Sequence, residues 1–290
     1  MIVTGAGRGI GREYALMLAK HGAKVVVNDI GTTREGLGAD ITAAQSVVDE
    51  ICAAGGDAIA DYNDVSDWQG ASQLVDAAVA QYGRLDVLVN NAGILRDRMI
   101  VNMEESEWDA VIKVHLKGSF APAHHAAVYW RTQSKKTGAP VNARIINTTS
   151  SSGVFGNVGQ SNYGAAKAGI AGFTIIAARE LARYGVTVNA ISPHALTRMT
   201  ESLRERTPEE IAMRDPRWIA PVVVWLASEE STDVTGRVFE AGGGILAALE
   251  GWHRGPGANP IDDPSQIGTI LSDLAARARR NADMRGNDLD

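Results

Sequence analysis

Thr4-Gly5-Ala6-Gly7-Arg8-Gly9-Ile10-Gly11, directly after the apolar pair Ile2-Val3, reads as a short strand entering a glycine-rich turn and then a helix. Glycines at 5, 9 and 11 let the backbone turn tightly, approach a ligand and pack the helix against a sheet. The helix presents unpaired N–H groups and its positive dipole end to the turn, which suits a pyrophosphate. The context strengthens this reading. An amphipathic helix over 9–22 carries Ile10, Tyr14, Met17 and Leu18 and ends at Gly22, and a second apolar strand runs from Lys24 to Asp29. Asp29 stands 18 residues beyond Gly11, where a dinucleotide-binding unit places the carboxylate that grips the adenosine ribose.

Working outward, apolar strands alternate with helical segments. Strands are predicted at Lys24–Asp29, Ala58–Tyr62, Leu85–Asn90, Ala143–Thr149, Thr187–Ile191 and Arg237–Glu240, in addition to the short first one. Helices fall near 9–22, 40–54, 67–82, 105–135, 160–184 and 217–227. Runs such as Val25-Val26-Val27 and Val87-Leu88-Val89 belong to strands buried on both faces, hence to a parallel sheet between helix layers. The fold class is α/β: a doubly wound, seven-stranded parallel Rossmann-like sheet with helices on both faces. Only Met1, Ile2 and Val3 precede Thr4, so the first strand is either truncated or continues from residues upstream. Residues 1–244 read as one domain, with a substrate loop at about 193–215. The 46 residues beyond Gly244 read as an extension with a frayed end, packing on the domain or on a neighbouring subunit. It begins with the glycine–proline-rich stretch Gly251 to Pro264. Ser265 is the expected cap of a helix bearing Ile267, Ile270, Leu271 and Leu274.

Composition narrows the function classes. Of 290 residues, 45% are hydrophobic and 21% charged, with a net charge of −6. That is an ordinary folded chain with a substantial core, and its charge argues against a nucleic-acid surface. No apolar run reaches the length of a membrane span, and no leader pattern is present, so a cytoplasmic location is expected. The single cysteine, Cys52, falls on the apolar side of a predicted helix and is expected to be a buried structural thiol. The six histidines lack metal-ligand spacing, the adjacent His124 and His125 reading as structural; no metal is expected.

Tyr163 and Lys167 stand one helical turn apart in Asn162-Tyr163-Gly164-Ala165-Ala166-Lys167, so phenol and ammonium share a face. A tyrosine is a poor acid or base at neutral pH, and an adjacent cation favours its phenolate. Ser150 ends the preceding strand, where a hydroxyl suits a hydrogen bond to a substrate oxygen as charge develops.

Together these residues resemble the short-chain dehydrogenase/reductase family over about residues 1–244. The resemblance rests on Thr4-Gly5-x-x-x-Gly9-Ile10-Gly11, Asp64-Val65, Asn90-Asn91-Ala92-Gly93, Ser150, Tyr163, Lys167 and the Pro193 loop with Thr197. It implies that Tyr163 exchanges a proton with the substrate oxygen. It also implies that Lys167 lowers the tyrosine pKa and binds the nicotinamide ribose, while Ser150 orients the substrate. Gly5, Arg8, Gly9, Ile10, Asp29, Asp64, Val65, Asn91, Ala92, Gly93, Pro193 and Thr197 would line the cofactor path. Asp29 favours NAD over NADP, since a carboxylate accepts from a ribose 2′-hydroxyl and repels a 2′-phosphate, with Arg34 in the following loop as the one counter-indication.

The chain departs from the family at His115, where an asparagine usually holds a relay water. His115 is either a relay member titrating near the working pH or a packed ring bonded to backbone. Val26 to Gly31, Asn91 to Arg98, Val114 to Phe120 and Gly153 to Gln160 resemble the (3R)-hydroxyacyl-CoA dehydrogenase subgroup, the domain type of peroxisomal multifunctional enzyme type 2 (17β-hydroxysteroid dehydrogenase type 4) and its bacterial relatives. The long loop from Ile30 to Ala39 also fits that subgroup. The region from His194 to Thr200, where the family commonly has a Pro-Gly pair, does not.

The implied activity is oxidation of a secondary alcohol, foremost a (3R)-hydroxyacyl-CoA in fatty-acid or sterol side-chain oxidation. The alternative is a 17β-hydroxysteroid or other cyclic alcohol, and a remote one is a non-catalytic NAD-binding scaffold. Arg96, Arg98, Arg198, Arg204 and Arg206 are candidates for a cationic rim facing CoA phosphates. The resemblance further implies a homodimer or homotetramer formed through helices 105–135 and 160–184, whose Ala165, Ala166, Ala168, Gly169 and Gly172 suit close helix approach.

Overall fold

Alternating side chains in the three valines of the second strand decide the layering: Val25 and Val27 pack into one hydrophobic core and Val26 into another. A strand buried on both faces needs helices on both. The computed structural model describes residues 1–38, 40–196 and 207–289.

Eight strands form one sheet: β1 (Ile2–Thr4), β2 (Lys24–Asn28), β3 (Asp57–Asp61), β4 (Val87–Asn90), β5 (Ala143–Thr148), β6 (Val186–Pro193), β7 (Val238–Gly242) and β8 (Ile245–Leu249). Their order is β3-β2-β1-β4-β5-β6-β7-β8, and β1 to β7 pair in parallel. The first strand is only three residues long, yet it lies at the centre, wholly buried and paired with both β2 and β4. The chain winds outward from β1 to β3 and then returns to β4 on the other side. That switch point opens a crevice at the carboxyl ends of β1 and β4, where such sheets hold their ligands.

One face carries α1 (Gly9–Lys20), α2 (Thr42–Ala53) and α9 (Ala220–Ala227), whose Tyr14, Leu18, Val47, Ile51, Val223 and Leu226 pack on Val3, Val25, Val27 and Ile146. The other carries α3 (Trp68–Tyr82), α5 (Gly118–Thr137) and α7 (Ser161–Leu181), packed on Ile2, Val26, Leu88 and Ile145. Short helices α4 (Glu105–Ile112), α6 (Ser151–Val154) and α8 (Pro208–Met213) border the strand ends, and α10 (Pro264–Arg277) follows the sheet.

The structure corrects four expectations. The sheet has eight strands rather than seven. Gly242, Gly243 and Gly244, all at positive φ, turn the chain into a hairpin, and β8 pairs antiparallel with β7. The chain therefore divides into units Met1–Leu249 and Glu250–Asp290, five residues later than expected. Second, Cys52 is exposed. Each step of four residues advances 40° around a helix, so Cys52 lies beyond Val48, the last buried residue of its row on α2. Third, Asp263 rather than Ser265 caps α10, accepting from Ser265 N at 2.8 Å; α10 itself buries no residue. Fourth, the long helix expected over 105–135 is broken by a π-helical turn, Lys113–Lys117, between α4 and α5.

A candidate active site at the switch point of the sheet

The two halves of the crevice are joined by one hydroxyl. Thr4 Oγ1 accepts from Asn91 N at 2.9 Å and from Ala92 N at 3.1 Å, while Asn91 Nδ2 donates back to Thr4 O and Gly5 O. The backbones pack so closely that a Cβ on Gly5 would meet Ala92 Cα at 2.7 Å, and one on Gly11 would meet Gly5 O at 2.2 Å. These two glycines are packing requirements of the turn.

Asp29 holds the turn from the other side. Its carboxylate accepts from Gly7 N at 2.9 Å and Gly31 N at 2.7 Å. A Cβ on Gly7 would stand 2.9 Å from that oxygen. Gly7 is thus as constrained as its neighbours, which the motif's glycine spacing does not reveal. Arg8 is the N-cap of α1, yet its side chain makes no capping bond and pairs with Asp40 instead. The first-turn amides of α1 therefore keep unused donors toward the cavity, the donor set a pyrophosphate requires.

Two adjoining cavities occupy the crevice. One, of about 270 Å³, is lined by Gly5, Asp29, Asp64, Val65, Ala92 and Gly93 among others. The second, of about 250 Å³, takes in Arg8, Gly9, Ile10, Asn91, His115 and Pro193, together with Gly93, Tyr163 and Lys167. Every expected cofactor-binding position is thereby placed on the crevice except Thr197, which lies outside the described residues, as do Arg198, Arg204 and Arg206. The described members of the expected cationic rim are engaged. Arg96 Nε donates to Glu35 O at 3.1 Å, and Arg98 pairs with Glu107 at 3.0 Å.

The expected proton-transfer group sits at the start of α7. Lys167 is 3% exposed; its Nζ donates to Thr148 O at 2.6 Å and lies 5.6 Å from the centre of the Tyr163 ring. Burial lowers the ammonium from 10.5 to about 7. Burial also raises the Tyr163 phenol to about 12, against the hydrogen bond with Ser150, which lowers it, and with the charge of Asp97, which raises it. In the chain itself desolvation therefore outweighs the depression expected of a neighbouring cation. Ser150 is the N-cap of α6, accepting from Ser152 N at 3.2 Å.

His115 lies in the π-helical turn, 2% exposed, edge-on to Tyr163 with ring centres 5.1 Å apart. Its Nε2 is 2.7 Å from Ile94 O and 3.1 Å from Ile94 N, and Nδ1 has no hydrogen-bond partner among the described residues. Burial, then the Lys167 charge, pushes the ring down to about 3. A relay titrating near neutrality needs a higher value, and Nε2 is already held by the Ile94 backbone, so burial and this bond favour the packed reading. Gly93 makes room for the ring: a Cβ there would stand 2.3 Å from His115 Cε1.

Asn162 is the residue that the motifs undervalue. Fully buried, it donates to Arg96 O and Glu107 O and accepts from Tyr163 N at 2.7 Å, tying α4 and the loop after β4 to the first turn of α7. An asparagine just before Tyr-x-x-x-Lys was the only available signal.

The glycine turn, the acid after β2 and the serine–tyrosine–lysine group together have the pattern of a nicotinamide-dependent oxidoreductase. The chain belongs to the short-chain dehydrogenase/reductase family, whose model, described as short chain dehydrogenase, matches residues 1–209. Within it, the chain is 46% identical to peroxisomal multifunctional enzyme type 2 of Drosophila melanogaster over 92% of its own length and 43% of that protein. It is 42% identical to hydroxyacyl-CoA dehydrogenase ChsB1 of Mycobacterium tuberculosis over 95% of its own length and 88% of that protein. The crystal structure of a short chain dehydrogenase from Mycobacterium avium superposes with a TM-score of 0.86 at 52% identity, covering 97% of this chain and 95% of that one. The chain spans less than half the length of the Drosophila enzyme. Membership makes it an oxidoreductase acting on CH–OH groups with a nicotinamide cofactor. No helix among the described residues is long and apolar enough to cross a membrane.

Proposed function

We propose that the chain is an NAD-dependent dehydrogenase that oxidises a (3R)-hydroxyacyl-CoA to the 3-oxoacyl thioester. The observation that carries this reading is the convergence of Tyr163, Lys167 and the α1 amides on one cavity beside Asp29, in a chain whose relatives include an enzyme named for hydroxyacyl-CoA oxidation. The bound nicotinamide ring supplies hydride acceptance.

The chain's own residues handle the proton. Ser150 stands close enough to the Tyr163 phenol to lower its pKa, so a substrate hydroxyl entering between them meets a donor and an acceptor. Tyr163 Oη takes the hydroxyl proton as the carbinol carbon is oxidised. Lys167, steadied by Thr148 O, offers positive charge to the forming phenolate. Asp29 supports NAD, since its carboxylate faces the first cavity and repels a 2′-phosphate. A homo-oligomer is supported by Phe120, Val128 and Ile176, large apolar side chains left exposed on α5 and α7. A reducing compartment such as the cytoplasm suits the single exposed thiol.

The test follows nicotinamide reduction with medium-chain (3R)-hydroxyacyl-CoA, its (3S) isomer and a 17β-hydroxysteroid. Turnover confined to the (3R) thioester is expected, with Tyr163→Phe lowering it about 10²–10⁴-fold. Steroid turnover without thioester turnover refutes the substrate, and an undiminished Tyr163→Phe refutes the mechanism.

A further inference from the structure

His194 stands where the family commonly has a glycine, and nothing in the proposed chemistry accounts for it. The structure gives it a partner: Nε2 of the ring lies 2.5 Å from Glu240 Oε1. Both groups are largely withdrawn from solvent, their side chains being 12% and 7% exposed. A carboxylate only accepts, so the ring donates through Nε2.

The pair is out of keeping with its surroundings. Glu240 lies inside β7 among Val238, Phe239 and Ala241, where the strand is otherwise apolar. Replacing a buried charged pair by apolar residues of similar volume is often neutral or stabilising, so stability alone does not explain one here. Its place in the chain does. β6 ends at Pro193, which sits opposite Ala241 of β7 and lines the second cavity with Tyr163 and Lys167. A proline has no N–H and cannot itself donate to the neighbouring strand. His194 supplies the next two ties, its backbone N donating to Ala241 O at 2.8 Å and its ring to Glu240. Two residues on, Leu196 N donates to Arg214 O at 2.6 Å, just beyond α8. The turn between β7 and β8 is shaped to the same corner. A Cβ on Gly242 would meet His194 O at 2.6 Å, and one on Gly243 would stand 3.2 Å from His194 Cβ.

We infer that His194 and Glu240 are positioning residues: their bond fixes the corner at Pro193 and with it the cavity wall beside Tyr163 and Lys167. Neither residue lines either cavity, so the pair acts through Pro193. Loss of the bond leaves the binding of cofactor and alcohol in place and costs rate, since a misplacement of about 1 Å can lower a rate about 10²-fold. This role requires only that a nicotinamide cofactor oxidise an alcohol, whichever alcohol that is.

The experiment sets His194→Leu/Glu240→Leu and His194→Gln beside the wild type. The leucine pair fills the same space with no bond and no buried charge. In His194→Gln the amide nitrogen takes the place of Nε2 and keeps the tie. Each protein is followed by urea unfolding, NADH binding, amide hydrogen exchange of the segment from Ala190 to Leu196, and kcat and KM with the secondary alcohol that the wild type oxidises. The leucine pair should unfold at or above the wild-type urea concentration and bind NADH as the wild type does. Its kcat should fall about 10- to 100-fold with KM little changed, and exchange at the corner should quicken about tenfold or more. His194→Gln should follow the wild type in every reading. Wild-type kcat in the leucine pair overturns the inference, as does unchanged exchange, or a loss carried by KM or NADH affinity. Should the leucine pair not fold, His194→Ala replaces it: a loss of kcat in His194→Ala that His194→Gln does not share upholds the role, and equal kcat in the two overturns it. Should the wild type oxidise none of the alcohols, quickened exchange upholds the clamp although the substrate reading has failed, and unchanged exchange overturns it.

Discussion

Replacing Lys167 with methionine should make the protein more stable at neutral pH while destroying its activity. Lys167 is a cation with almost no solvent contact, and burial holds its folded-state pKa at about 7 against 10.5 for an ordinary lysine. The unfolded chain keeps this proton up to its ordinary value, and the folded chain releases it near 7. Between those limits the unfolded state binds more protons, so stability rises with pH and is lost as pH falls through the folded value. The linkage is about 1.4 kcal/mol per pH unit, so burying this cation costs about 4 kcal/mol at pH 7 and about 1 kcal/mol at pH 10. Methionine fills a similar volume without charge and loses the bond to Thr148 O, worth about 1 kcal/mol. The variant should therefore gain about 2–3 kcal/mol at pH 7, and little or nothing at pH 10. Urea unfolding of both proteins at a series of pH values from 7 to 10 reads this directly. Differences between the two cancel the shifted amino terminus, and His115, which feels the Lys167 charge, is already neutral at these pH values. A variant less stable than the wild type at pH 7, or a gap that does not narrow toward pH 10, refutes the reasoning.

Other perturbations test other joints of the site. Gly93→Ala drives a methyl group into the His115 ring and should cost about 1–3 kcal/mol in urea unfolding, with a loss of turnover because the ring abuts Tyr163. Asp29→Ser removes the carboxylate that Gly7 N and Gly31 N share, and should lower kcat/KM for NAD about 10- to 100-fold while narrowing the preference over NADP in steady-state assays. With His115 held at about 3 by burial, the pH profile of kcat/KM between 6 and 8 should be the same for wild type and His115→Gln in shape, whatever the change in height. A histidine step present only in the wild type would restore the relay.

Much of this architecture is legible in the sequence because it depends on local patterns. The triplet Val25-Val26-Val27 announces a strand buried on both sides, and the four-residue spacing of Tyr163 and Lys167 announces a shared helix face. What escaped reading depends on partners distant in the chain. Nothing local distinguishes Gly7 from a free position in the turn, since its constraint is the Asp29 carboxylate, 22 residues on. Asn162 reads as a polar helix residue until Arg96 O and Glu107 O are brought against it. The spacing of Tyr163 and Lys167 reports the neighbouring cation and says nothing of the desolvation that raises the phenol in the chain itself. The eighth strand hid for another reason: Ile245-Leu246-Ala247-Ala248-Leu249 has no alternation, and only the three preceding glycines mark the reversal.

The π-helical turn carries a consequence for how this chain tolerates change. One surplus residue in a helix resets its phase by about 100°, so α4 and α5 address different surroundings although they run almost without interruption. Deleting a single residue between Lys113 and Lys117 would rotate all of α5 by that angle. The error would be felt some 20 Å away, where Trp130, buried to within 1%, donates to Leu85 O at 2.6 Å. The residue count of this stretch is thereby tied to Trp130, more than three turns along α5.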